Sequence, residues 1–128
     1  MVSESRSTRI ADRIKRELSV IFLREIDDPR LEGVNVTSVN VDRELAFADV
    51  YVSAFDGSER KKEIMAALKR ARGYLRSELA HSISHLRSFP EVRFHWDPIP
   101  ERADRIDRLI AELDAAEEEE GQEHSGDE

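Results

Sequence analysis

At 128 residues the chain has room for one domain with one core, and without cysteine it has neither disulfides nor thiolate chemistry, which fits a reducing compartment. The opening Met1-Val2-Ser3-Glu4-Ser5-Arg6 lacks the apolar stretch of a secretory signal, and no apolar run reaches the roughly 20 residues of a membrane span, so a soluble, cytoplasmic protein is expected. The formal net charge is -8, but 12 acidic and 3 basic residues fall between Glu101 and Glu128, whereas residues 1–100 carry 17 Lys/Arg against 16 Asp/Glu, so the acidity belongs to one end and the body is close to neutral.

The first predicted element is a helix from about Arg6 to Ile26. Ile10, Ile14, Leu18, Ile21, Phe22 and Ile26 recur in steps of three and four and build one broad apolar face. Asp27-Asp28-Pro29 ends it, because proline disfavours helical conformation in the residue before it. Gly33 opens Val34–Val41, which is β-branched and alternating and reads as a strand. Its alternation slips between Val36 and Val39, as a β-bulge would produce. Asp42-Arg43-Glu44-Leu45 then leads to a second strand, Ala46–Phe55, with Ala48, Val50, Val52 and Ala54 on one face. So short a link predicts an antiparallel hairpin.

Asp56-Gly57-Ser58 breaks the strand and offers caps to a second helical region, Glu59 to Ser84, whose stripe is Ile64, Ala67, Leu68, Ala71, Leu75, Leu79 and Ile83. Gly73 lies inside it. Glycine there is either tolerated, at up to about 1 kcal/mol relative to alanine, or marks a kink that divides the region in two. Phe89-Pro90 ends the region. Glu91–Asp97 alternates Val92, Phe94 and Trp96 with Arg93, His95 and Asp97, a third strand closed by Pro98-Ile99-Pro100. A short helix is expected over 101–115, with Ile106, Leu109, Ile110 and Leu113 as its stripe, and residues 116–128 read as a disordered acidic tail. Residues 1–100 thus form the domain. Three strands with helices on one face make a two-layer α+β fold.

Basic residues at Arg6, Arg9, Arg13, Arg16 and Arg24 gather on the first helix away from its apolar face. Lys62, Lys69, Arg72 and Arg76 form a second stripe on the kinked helix. Either stripe alone is as well explained by a solvated helix face with local ion pairs, given Glu17, Glu25 and Glu63 nearby. Two stripes on a neutral body point to phosphate contacts and hence to RNA. Signals for catalysis are weak. His81 and His85 share helical spacing but lack a third ligand, Asp27-Asp28 reads as a helix end, and no phosphate loop or nucleophile motif is present, so neither an enzyme nor a metal or cofactor is expected. Phe94 and Trp96 are read as core or rim; Phe89 is ambiguous between core and a base-stacking role. The acidic tail either solubilises the protein or competes with RNA for the basic stripes.

Several segments in order resemble ribosome-binding factor A over about residues 6–110. They are Arg9-Ile10-Ala11-Asp12-Arg13-Ile14-Lys15-Arg16-Glu17-Leu18, then Asp28-Pro29-Arg30-Leu31, and the strand pair Val39-Asn40-Val41-Asp42 and Ala48-Asp49-Val50-Tyr51-Val52-Ser53. Leu75-Arg76-Ser77-Glu78-Leu79 and Pro90-Glu91-Val92-Arg93-Phe94 follow. The resemblance implies a type II KH-like domain of order helix–strand–strand–helix–kink–helix–strand, in which a small-x-Gly element, here Ala71-Arg72-Gly73, replaces the usual GXXG loop. It implies a non-enzymatic assembly factor that binds the free 30S subunit and 16S rRNA, serves late maturation and 5′-end processing, and matters most in the cold. Ala71 and Gly73 are then the kink and Arg72 the exposed charge at the crossing. Arg9, Arg13, Arg16, Lys69 and Arg76 join Arg72 as RNA-binding candidates from their spacing alone. A monomer is expected. The alternatives are a KH-like module for another RNA, a protein–protein adaptor using the Ile106–Leu113 stripe, and a small hydrolase built on the His81/His85 or Asp27/Asp28 pair.

Overall fold

In the computed structural model, which describes residues 2–25 and 27–126 (side chains of 6–24 and 27–120), the first apolar stripe forms where its period puts it. Helix α1 (Val2–Val20) buries Ile10, Ile14 and Leu18. A π-helical turn, Ile21–Glu25, follows directly. Ile21 and Phe22, three and four residues beyond Leu18, both face inward there, at 4% and 9% exposure. Ile26, expected to complete this face, lies outside the described residues. Asp28 then caps a 3-10 turn, Pro29–Leu31, by accepting from the Arg30 amide at 3.0 Å and from the Arg30 guanidinium at 3.0 Å. That charged bond holds the Asp28 carboxyl below the usual carboxylate range. The turn drops Leu31 into the core, and Arg60 straps it from outside by donating to the carbonyls of Arg30 at 2.8 Å and Glu32 at 3.0 Å.

Strand β1 (Val34–Val41) pairs antiparallel with β2 (Phe47–Ala54), as the short link requires. The expected bulge is present. Val36 faces Val52 and Ser38 faces Tyr51, so Thr37 is the extra residue. Its hydroxyl lies 2.7 Å from Asp97 Oδ2 and 3.2 Å from the Tyr51 carbonyl, which gives the displaced side chain polar partners. The bulge switches parity, so that Val34 and Val36 before it and Val39 and Val41 after it all pack toward one core. In the hairpin link Asp42 Oδ1 accepts from the amides of Phe47 at 2.7 Å and Ala46 at 2.9 Å, and those amides lower its pKa. Leu45 closes the turn at φ 59, a left-handed conformation unusual for a non-glycine residue.

After a 3-10 turn (Gly57–Arg60), helix α2 runs unbroken from Lys61 to Ser82. The division of this region into two helices, expected from Gly73, does not occur. Gly73 lowers helix propensity but removes no backbone donor, and buried Ile64 and Leu68 on one side and Leu75 and Leu79 on the other anchor both halves to the same core. The helix crosses from β2 to β3 (Glu91–Trp96), which joins β2 in parallel, giving sheet order β1-β2-β3. A parallel neighbour demands such a crossover. The stripes of α1 and α2 meet Ala48, Val50, Val52 and Val92 in one cluster, so both helices lie on one face of a three-stranded sheet in an α+β, two-layer arrangement.

The described residues from Pro98 on form a second unit, which is one helix, α3 (Ile99–Gly126). Sequence reading ends this helix near Ala115 and expects disorder from residue 116; here it continues. From Glu101 to Glu120 there is no glycine or proline to stop it, and alanine and glutamate are strong helix formers. Among the described residues, no helix is long and apolar enough to cross a membrane.

Candidate nucleic-acid interface

The basic residues marked out in the sequence separate into two kinds once placed. On α1, Arg9, Arg13 and Arg16 are exposed, turned away from the Ile10–Ile14–Leu18 face. Arg13 is nonetheless engaged. Its Nη2 donates to the Ser82 carbonyl at 3.1 Å, and Glu17 lies 3.9 Å from its Nε. Ser82 is the last residue of α2, where carbonyls lack intrahelical partners and carry the negative end of the helix dipole. Arg13 thus ties α1 to the end of α2.

Arg76 is engaged in the same way. Its Nη2 donates to the Phe89 carbonyl at 2.8 Å and its Nε to the Pro90 carbonyl at 3.2 Å, bracing the segment that enters β3. Phe89 itself is buried, so of its two sequence readings the structure takes the core one, and Phe94 and Trp96 pack against the core's edge. By contrast Arg16, Lys69 and Arg72 are exposed and, among the described residues, make no side-chain hydrogen bond or ion pair. These three present charge outward.

Around Arg72, Ala71 packs partly against the core while Gly73 faces out. A Cβ built on Gly73 would meet nothing within 4 Å, so no neighbour in the domain requires glycine there. At helical spacing Lys69, Arg70, Arg76 and Ser77 are its surface neighbours. A bare helix backbone rimmed by cations lets a phosphate approach closely.

Other candidates for chemistry fall away. His81 is on α2, but the helix ends at Ser82 and His85 lies in the following turn, so the two do not share a helical face. Asp28 is occupied with Arg30. Among the described residues no cluster of three His, Cys, Asp or Glu can hold a metal.

Sequence reading missed a group on the sheet face opposite the helices. Asp49 accepts hydrogen bonds from Nε and Nη2 of Arg93, at 2.8 and 2.9 Å, and contacts His95 Nε2 at 2.7 Å. Arg93 holds the Asp49 carboxyl below its usual range, and Asp49 in turn raises the Arg93 pKa. The Arg93 guanidinium lies 4.2 Å over the Phe47 ring, and Tyr51 stacks on His95 at 5.0 Å. Alternation marks these residues as outward-facing, but only the parallel register Asp49↔Arg93 and Tyr51↔His95 makes them neighbours.

A family model described as ribosome-binding factor A matches residues 6–110. The chain is similar to the ribosome-binding factor A of Chromohalobacter salexigens, 44% identical over 109 residues, covering 84% of this chain and 82% of the relative. That of Nitrosomonas europaea is 42% identical over 108 residues, covering 84% of this chain and 92% of the relative. Among solved structures, the fold is similar to the crystal structure of ribosome-binding factor A from Thermus thermophilus, with TM-score 0.63 and 27% identity, covering 70% of this chain and 93% of that one. A solution structure of a Thermotoga maritima homologue gives TM-score 0.58 at 33% identity, covering 70% of this chain and 85% of that one. A homology model of the Thermus thermophilus factor, fitted into a cryo-electron microscopy map of its complex with the 30S subunit, gives TM-score 0.54 at 30% identity, covering 66% of this chain and 87% of that one.

Proposed function

The chain belongs to the ribosome-binding factor A family, whose members are non-enzymatic ribosome assembly factors with a KH-like fold, and from that premise we propose that it binds the free 30S subunit in the cytoplasm and contacts 16S rRNA during late maturation, including processing of the 5′ end. The observation that carries this reading is the family match across residues 6–110, which takes in the α+β body from Arg6 on. The Thermus thermophilus relative fitted into a 30S complex supports the same partner.

The outward cations Arg16, Lys69 and Arg72, with exposed Arg9, are the residues assigned to the phosphate backbone, and Gly73 the point of closest approach. Arg13 and Arg76 serve chiefly to hold this surface in shape. Charge neutralisation of this kind makes affinity fall steeply with salt.

Sedimentation of cell extract through a sucrose gradient tests the proposal. The protein is expected with free small subunits and not with full ribosomes. Retention at the top of the gradient at low salt would overturn the ribosomal reading. In a strain lacking the gene, 16S precursor with an unprocessed 5′ end should accumulate, most of all at low growth temperature.

A further inference from the structure

Helix α3 carries an apolar stripe that its own unit has no second element to cover. Ile106, Leu109, Ile110 and Leu113 recur at helical spacing and are between 52% and 65% exposed. An amphipathic helix of this kind gains stability by laying its apolar face on a partner. The flanks of the stripe change character along its length. Near the start, Arg105 lies 3.6 Å from Glu101 and Arg108 lies 2.8 Å from Asp104, each pair one turn apart. From Leu109 to Glu120 there are six acidic side chains and no basic one. The carboxylates at Asp114 and Glu117–Glu120 therefore have no cation on their own stretch of helix. Leu113 and this acidic run also lie beyond residue 110, where the match to the family ends.

From the stripe and its charge together we infer that α3 is a docking helix for a basic amphipathic segment of another protein, one that sets its own apolar residues on Ile106–Leu113 and its lysines or arginines on the acidic run that follows Leu113 along the helix. Charge selects this occupant. A second copy of α3 laid in parallel would bring two acidic runs side by side, where like charges repel, and one laid antiparallel would set each run against first turns whose arginines are already balanced by Glu101, Asp104 and Asp107. A basic segment joins apolar contact to charge complementarity, which also speeds encounter and makes it sensitive to salt. The inference does not depend on how the body meets RNA.

Fluorescence anisotropy with the full chain tests it. The probe is a labelled synthetic peptide of leucine at helical spacing and lysine elsewhere, roughly five turns long; its counterpart has glutamate for lysine. Two variants are compared, Leu109→Ala with Leu113→Ala, and Glu117–Glu120 all changed to Gln. Both replacements retain high helix propensity, and circular dichroism checks that the helix persists. The lysine peptide is expected to bind and the glutamate peptide not, with at least tenfold weaker binding in each variant. Several outcomes would overturn the assignment. They are no binding of the lysine peptide, equal binding of the glutamate peptide, or unchanged affinity in the leucine variant, which would mean simple attraction of cations. Dimerisation of the chain through α3, or photo-crosslinks from position 113 to its own residues 1–97, would also overturn it by showing a different occupant.

Discussion

Replacing Arg76 by alanine should destabilise the domain, although sequence spacing places Arg76 in an RNA-binding stripe. Its guanidinium donates to two carbonyls, those of Phe89 and Pro90, at 2.8 and 3.2 Å. Hydrogen bonds from a charged donor contribute about 1.5–3 kcal/mol each when desolvated. Arg76 is exposed, and solvent screening reduces this to about 0.5–1 kcal/mol per bond, or about 1–2 kcal/mol together. For a domain of about 100 residues that is a fall in Tm of roughly 4–15 °C. The comparison is Arg72→Ala, an exposed site without a side-chain partner among the described residues, where the change should stay within about 0.5 kcal/mol. Thermal denaturation by circular dichroism reads the stability of both. Binding of an rRNA fragment across a salt series reads the other side, where Arg72→Ala should reduce the slope of log affinity against log salt by about 1. If Arg76→Ala melts with the parent protein and loses more RNA affinity than Arg72→Ala, the guanidinium is an RNA contact and the strap across Phe89–Pro90 carries no weight.

Gly73→Ala should raise Tm, by up to about 1 kcal/mol of stability, because the helix is continuous and the space over Gly73 is empty; a lower Tm would show that the helix needs glycine's conformational freedom there. The same substitution should weaken rRNA binding if the backbone at Gly73 is the point of approach, and unchanged affinity in a salt series would remove Gly73 from the interface. For Asp42, the amides of Phe47 and Ala46 lower the folded pKa below the ordinary value of 3.8. A depressed folded pKa contributes stability above the unfolded value and loses it as pH falls through the folded one. Tm should therefore drop on acidification below about pH 4, less so in Asp42→Asn, and identical acid profiles for the two proteins would refute the linkage.

Much of the fold is legible in the sequence because its signals are local. The period of Ile10, Ile14 and Leu18 gives α1, and the slip between Val36 and Val39 gives the bulge at Thr37. Asp28-Pro29 gives the turn, and five residues between strands force the hairpin. What depends on contacts distant in sequence is not legible. Arg13 and Arg76 look like members of solvated stripes until Ser82 and Phe89 arrive beside them. Spacing reports the side of a helix, not which carbonyl another segment brings to it. The Asp49–Arg93–His95 group needs the parallel register of β2 with β3, which no local pattern encodes. The region is one helix and not two because buried leucines on both sides of Gly73 outweigh one glycine.

The parallel placement of β3 has a consequence for how the chain reaches its native state. β1 and β2 are joined by a tight link and can zip together early, whereas β3 can pair only after the whole of α2 has formed a return path. Until then one edge of β2, with Val50 and Val52 along it, is open to strands of other molecules. Ribosomal synthesis releases the hairpin first and β3 late, so this open edge exists in every nascent copy for as long as α2 and β3 take to emerge. Chains that stop before Glu91 keep it for good and should be the aggregating species among truncated products.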